Sequence, residues 1–130
     1  MKSMTILFVS DQTKSKQFYQ TILALDTTID VPGMTEFTIS KEYSLGLMPG
    51  ESILKILENT IPDPHNAKGI PRCELYLFVD NPTKRLQLVE KNGGKIVSEV
   101  ALRPWGDEVG YGLDPDGHLI ALAKSISDIK

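Results

Sequence analysis

Residues 74–94 read ELYLFVDNPTKRLQLVEKNGG, and residues 4–23 read MTILFVSDQTKSKQFYQTIL. Set 70 residues apart, the two stretches put Phe8 on Phe78, Val9 on Val79, Thr13 on Thr83, Lys14 on Lys84 and Gln17 on Gln87. Each opens on a short apolar run rich in β-formers, which reads as a buried strand. Each then passes through polar residues fit to cap a helix, Ser10-Asp11 in one and Asp80-Asn81 before Pro82 in the other. Apolar residues at helical spacing follow: Phe18, Ile22 and Leu25 in the first, Leu86, Leu88 and Val89 in the second. The chain therefore states a strand-to-helix unit twice.

The flanking sequence extends both copies in the same order. After the first helix, strands are predicted at 27–31 (stopped by Pro32-Gly33), 36–39 and 43–48, and Pro49-Gly50 breaks the last. A short helix over 51–58 carries Ile53, Leu54 and Leu57 on one face. After the second helix, ended by Asn92-Gly93-Gly94, strands are predicted at 95–102, 109–113 and 118–123. The turn before the last strand, Asp114-Pro115-Asp116-Gly117, has Pro second and Gly fourth, each suited to its place. Between the copies lies 59–71, with three prolines, a glycine and two asparagines, which reads as a linker. The prediction is an α+β fold of two βαβββ modules, about 1–58 and 72–124, related by a pseudo-two-fold, with a polar tail over 124–130 that frays.

Composition narrows the function. The 130 residues hold 14 Lys+Arg against 17 Asp+Glu, a net charge of −3. That balance argues against nucleic acid and against an anionic membrane as partners, since both call for a basic surface. One cysteine makes no internal disulfide, and with two histidines it supplies a Cys/His zinc site poorly. The apolar run near the N-terminus is too short for a signal peptide or a membrane span, so a cytoplasmic location is expected. The segment 91–95 is glycine-rich but ends a helix instead of opening one, so it does not cradle phosphate. Cys73 has no histidine beside it in sequence and is expected to be a buried thiol.

Three motifs in order carry a resemblance. They are Phe8-Val9-Ser10-Asp11 running into Phe18-Tyr19 and Ile22-Leu23; Leu77-Phe78-Val79-Asp80-Asn81 before a helix ending in Gly93-Gly94; and Trp105-Gly106 followed by Asp114-Pro115-Asp116-Gly117-His118. Across essentially the whole chain the sequence resembles the vicinal oxygen chelate superfamily, which holds glyoxalase I, bleomycin-resistance proteins and extradiol dioxygenases. It departs from the pattern at Ala24, where the first helix usually ends in Gly. The resemblance implies two curved four-stranded sheets forming a U-shaped cleft, usually in a homodimer. It also implies four His or Glu metal ligands in the metal-using members, at positions that fall here on Met4, about Leu47, Glu74 and Ala121. Only Glu74 is a hard donor, Ala121 has no donor, and a thioether suits soft Cu(I) instead of the family's ions. The expectation is therefore a cleft with no metal and no other cofactor. His65, in the linker, and His118, after the turn, are expected to face solvent or pack in the turn.

The cleft positions define candidate binding residues: Met4, Phe8, Leu47, Tyr76, Arg103, Trp105 and Ala121. Strand parity puts Met4 and Phe8 on one face, and Glu74, Tyr76 and Phe78 on one face, provided no bulge intervenes. Glu74 either faces the cleft as a carboxylate in apolar surroundings, fit for a general base or a cation anchor, or faces solvent at the start of its strand. Arg103, Trp105 and Asp107 cluster in one loop, which the resemblance places over the cleft mouth. There Trp105 stacks on a flat or cationic ligand and Arg103 forks onto a carboxylate, or Trp105 packs at an interface. Tyr111 and Phe37 read as core. The leading expectation is a metal-free protein that binds a small cationic or aromatic molecule. The alternative is a lyase or isomerase of glyoxalase type, with Glu74 as base and a metal bound in some other way.

Overall fold

The computed structural model describes residues 1–126; Ser127–Lys130, part of the predicted frayed tail, lie outside the described residues. The chain divides into two compact units, the first holding Met1–Gln20 and Ala24–Lys68, the second Thr21–Leu23 and the chain from Gly69.

The first unit is built from β1 (Ser3–Val9), α1 (Gln12–Leu23), β2 (Ile29–Val31), β3 (Met34–Ser40), β4 (Tyr43–Pro49) and the short α2 (Gly50–Ile56). Its sheet runs β1-β4-β3-β2, with β1 parallel to β4 and the other pairs antiparallel. Asp11 caps α1 by accepting from the Lys14 amide, a bond of a kind that contributes about 1 kcal/mol. The helix stops at Ala24, whose φ of 54° is left-handed, so Leu25 falls outside it and is exposed. Register fixes the two faces. Leu7 pairs with Leu47 and Leu47 with Thr35, and these residues are buried together with Val9, Leu45 and Phe37. The α1 side chain Gln12 donates to the Thr35 hydroxyl, so α1 lies on that face, and its own Phe18 and Tyr19 are buried. Met4, Ile6 and Phe8 point to the other, helix-free face.

The second unit repeats the plan with β5 (Glu74–Phe78), α3 (Pro82–Lys91), β6 (Lys95–Leu102), β7 (Asp107–Leu113) and β8 (Leu119–Ser125), in sheet order β5-β8-β7-β6 with β5 and β8 parallel. Asn81 caps α3 by accepting from the Lys84 amide, 70 residues beyond the equivalent bond in α1. Leu86 and Val89 of α3 lie so close to β7 that a Cβ at Gly110 would stand 2.9 Å from Leu86 and one at Gly112 3.0 Å from Val89. Glycine at both positions lets the helix seat on the sheet, with Leu75, Leu77, Ile120 and Leu122 buried on that side. The last turn of α1 groups with this unit, and there the Ile22 carbonyl accepts from Arg85 at 2.6 Å.

Within 59–71, Pro64–Ala67 form a 3₁₀ turn, capped by Asp63 accepting from the His65 amide. Two expectations need correction. Lys124 and Ser125 do not fray, because β8 pairs with β7 as far as Ser125↔Asp107. Cys73 is exposed, because it stands just ahead of β5 instead of inside the strand.

Candidate functional site

The helix-free face of the second sheet carries a connected group of aromatic and charged side chains. Tyr76 on β5 pairs with Ala121 on β8, and Ala121 with Tyr111 on β7, so all three share one face. Ala121, Ala123 and Val109 are fully buried there, with Tyr76 and Tyr111 packed over them. A floor of small residues thus supports two rings. Phe78 stands next to Tyr76 edge-to-face, centroids 5.3 Å apart, and remains 64% exposed.

The hairpin between β6 and β7 brings the rest. Its turn, Arg103-Pro104-Trp105-Gly106, has Pro second and Gly fourth, the chemistry also found at 114–117. It is closed by the Gly106 amide donating to Arg103 at 3.0 Å and the Arg103 amide donating to the Asp107 carbonyl at 2.8 Å. The turn delivers Trp105 and Asp107 to Tyr76. The Trp105 indole N–H donates to the Tyr76 oxygen at 2.8 Å, and the Tyr76 hydroxyl donates to Asp107 Oδ2 at 2.6 Å. Burial, and then the bond to Asp107, hold the phenol above its ordinary pKa, against a smaller opposite pull from the Trp105 bond. The Tyr76 hydroxyl therefore stays protonated, donating its hydrogen bond to Asp107 while accepting one from Trp105. Trp105 is 58% exposed with its one polar atom satisfied inside the protein, so its ring is held in place while its face stays open.

The sequence-derived residues do not all come together. Tyr76, Trp105 and Ala121 come together on this face, with Asp107 and Tyr111 beside them. Met4 and Phe8 share the helix-free face of the first sheet. Leu47 does not join them: it is fully buried on the helix-covered side, and Gly46 is the residue of β4 whose face Met4 and Ile6 share. A one-residue slip in placing the position reverses the face, because the side-chain period of a strand is two. Arg103 does not reach out for a carboxylate. Its Nε and Nη2 donate to the Val109 carbonyl, Nη2 also to Ser98 and the Glu99 carbonyl, and the guanidinium lies 5.2 Å from the Tyr111 ring centre. It pins the hairpin and supports Tyr111, which is more than the core role read for that tyrosine. Glu74 stands exposed at the first residue of β5, on the face of Tyr76 and Phe78. The pairing of Tyr76 with Asp107 was not legible, being a contact across 31 residues; the Pro104/Gly106 turn signal was the available clue to the hairpin that makes it.

His118 packs in its turn. Its Nδ1 lies 2.8 Å from Asp114, whose other oxygen accepts from the Asp116 and His118 amides. Burial alone would lower the imidazole pKa, but the bond to Asp114 and the charges of Asp114 and Asp116 outweigh it and raise the value. Asp114, Asp116 and His118 offer donor atoms within 4.8 Å of one another, yet the Asp114 carboxylate is occupied in holding the turn. The four positions expected for a divalent ion do not fit one. In the second unit Ala121 has no donor atom and lies buried beneath Tyr76 and Tyr111, leaving Glu74 alone; in the first, Met4 is a thioether, and neither Gly46 nor Leu47 has a donor. A shallow groove of about 290 Å³, lined by Gln12, Thr13, Lys16, Asp30, Val31 and Pro32, is bridged by the Lys16–Asp30 ion pair and has none of these positions in its lining. Among the described residues no helix is long and apolar enough to cross a membrane.

Two four-stranded sheets of order β1-β4-β3-β2 and its repeat, each with one parallel edge pair, define the paired-βαβββ class of the vicinal oxygen chelate superfamily. A glyoxalase-like domain model matches residues 2–127, and the chain belongs to that family. Solved structures share the fold: a glyoxalase-related enzyme from Fulvimarina pelagi (17% identity, 96% of this chain and 88% of that one, TM-score 0.80). A glyoxalase/bleomycin resistance protein/dioxygenase family enzyme from Burkholderia phytofirmans matches at 13% identity (95% and 97% covered, TM-score 0.78), and a protein of unknown function from Agrobacterium tumefaciens at 23% (96% and 94%, TM-score 0.75). A comparison with curated proteins finds no match.

Proposed function

We propose that the protein binds a small cationic or aromatic molecule on the helix-free face of its second sheet, without a divalent ion, and works as a homodimer. The observation that supports it is the chain from Trp105 through Tyr76 to Asp107. It holds an open indole face beside a carboxylate, which is what recognition of a flat or cationic group asks for. Phe78 and Tyr76 extend the aromatic surface, and the buried floor of Ala121, Ala123 and Val109 keeps it from collapsing inward.

Trp105 is the one tryptophan of the chain, so its emission reports on the site directly. A panel of aromatic and quaternary-ammonium compounds is titrated against that emission. The expected result is saturable quenching by a member of the panel, whose affinity, read by calorimetry, is weaker about tenfold or more in Trp105→Ala, since a desolvated cation–π contact contributes about 1–2 kcal/mol. Binding that leaves the emission unmoved and survives Trp105→Ala overturns the assignment. The competing reading, a lyase or isomerase with Glu74 as base, draws on Glu74 sharing the face of Tyr76. It is supported if Glu74→Gln keeps ligand binding and loses turnover.

A further inference from the structure

On the helix-free face of the first sheet, the side chains of Met4 and Met34 converge over Gly46. A methyl group placed on Gly46 would stand 3.3 Å from the Met4 sulfur and 3.3 Å from the Met34 sulfur, with Ile6 at 3.2 Å. The two sulfurs are thus no farther apart than twice that distance. They arrive from different strands, Met4 from β1 and Met34 from the start of β3, with Gly46 on β4 between them. Glu36 is the direct partner of Gly46 across the antiparallel pair and puts a carboxylate on the same face. Any side chain at position 46 would occupy the space the sulfurs face.

We propose that Met4 and Met34 bind a soft monovalent cation, Cu(I), above Gly46. Thioethers are neutral, polarisable donors that favour Cu(I) over hard divalent ions, and they need no deprotonation to bind. A metal–sulfur bond is about 2.3 Å in zinc sites, and taking the same length here puts two sulfurs sharing one ion about 4.6 Å apart or less. Methionine has three rotatable bonds with which to close that gap. Met4 is 42% exposed, so the ion has a way in, and Glu36 and the net charge of −3 favour a cation. This site stands on the first sheet and does not depend on the ligand assigned to the second. The plain competing account is that the two side chains only fill the space above a glycine.

The test uses the full chain carrying Cys73→Ser, because the exposed thiol would itself take a soft ion. The four methionines are labelled at their methyl carbons and followed by NMR during titration with Ag(I), a redox-inert stand-in, and with Cu(I) kept reduced by ascorbate. The Met4 and Met34 methyl signals are expected to shift together and saturate at one equivalent, with Met1 unmoved and Zn(II) without effect. In competition with a Cu(I) chelator, Met4→Leu and Met34→Leu each weaken binding about tenfold or more while the melting temperature holds. Signals of Met4 and Met34 that do not move, or leucine variants that bind as tightly as the parent, overturn the proposal. If a variant fails to fold, the methyl titration of the parent decides by itself.

Discussion

Ala24 shows how one residue departs from its family pattern at a measurable cost. It ends α1 at φ 54°, a conformation in which a Cβ crowds the following carbonyl. Ala24→Gly is expected to raise stability by about 1 kcal/mol, or about 3–5 °C in melting temperature, read by calorimetry. Tyr76 carries the opposite kind of weight. Its hydroxyl is the shared atom between Trp105 and Asp107, so Tyr76→Phe leaves both without their partner. The expected outcome is a loss of order in the Trp105 ring, seen as lower fluorescence anisotropy, with weaker binding of any ligand that quenches Trp105. Unchanged anisotropy would show that the ring is held by other contacts. Tyr76 and Trp105 were both legible as candidates in the sequence, by parity and by residue type. The bond that joins them was not, because nothing local places a strand residue against a turn 29 positions away.

At the scale of elements, the two Pro/Gly turns organise the second sheet. Gly117, with φ 90°, also lies under the linker, where a Cβ would meet Gly69 Cα at 2.7 Å. Gly117→Ala therefore combines a strained backbone with a clash against main chain, and is expected to cost about 2–4 kcal/mol, measured by urea unfolding. The same turn carries a pH dependence. The folded His118 pKa is raised, so its stabilising contribution is fully present below the ordinary imidazole value and is lost as pH rises through the folded value. The pH profile of stability should fall across that window in the parent and flatten in His118→Gln; an unchanged profile would mean that His118 is not the titrating group. Asp30 and Asp80 act in the other direction. Lys16 bonds Asp30 and Arg85 bonds Asp80, lowering both carboxyls, so their contributions are lost only as pH falls through the lowered values. Strands, caps and turns were read from local chemistry within a residue or two. The register shifts of β6, between Ile96 and Ser98 and between Ser98 and Ala101, had no such signature. They lie outside β5 and β8, so strand parity holds for Glu74, Tyr76 and Phe78.

For the whole molecule, the repeat is the central fact. Equivalent caps 70 residues apart and equivalent sheet orders show one unit written twice. Divergence between the copies then separates their chemistry. The first unit presents methionines on its helix-free face, and the second presents aromatics with a carboxylate. The proposed homodimer predicts a particle of twice the chain mass by sedimentation equilibrium at micromolar concentration; a monomer at that concentration would remove the second copy from the proposal.

By itself the sequence determined the α+β class, the duplication, the turn positions and the shortage of hard metal ligands. All of these follow from local propensity, hydrophobic period and residue type, which act over a few neighbours. Tertiary structure alone decided which face each position serves. Leu47 was moved into the core by a single step of strand parity, and Arg103 was bound into its own hairpin. Tyr76, Trp105 and Asp107 became one group only when β5 and the β6–β7 hairpin met. Such contacts join distant parts of the chain, and their geometry exists only once the sheet has closed its register.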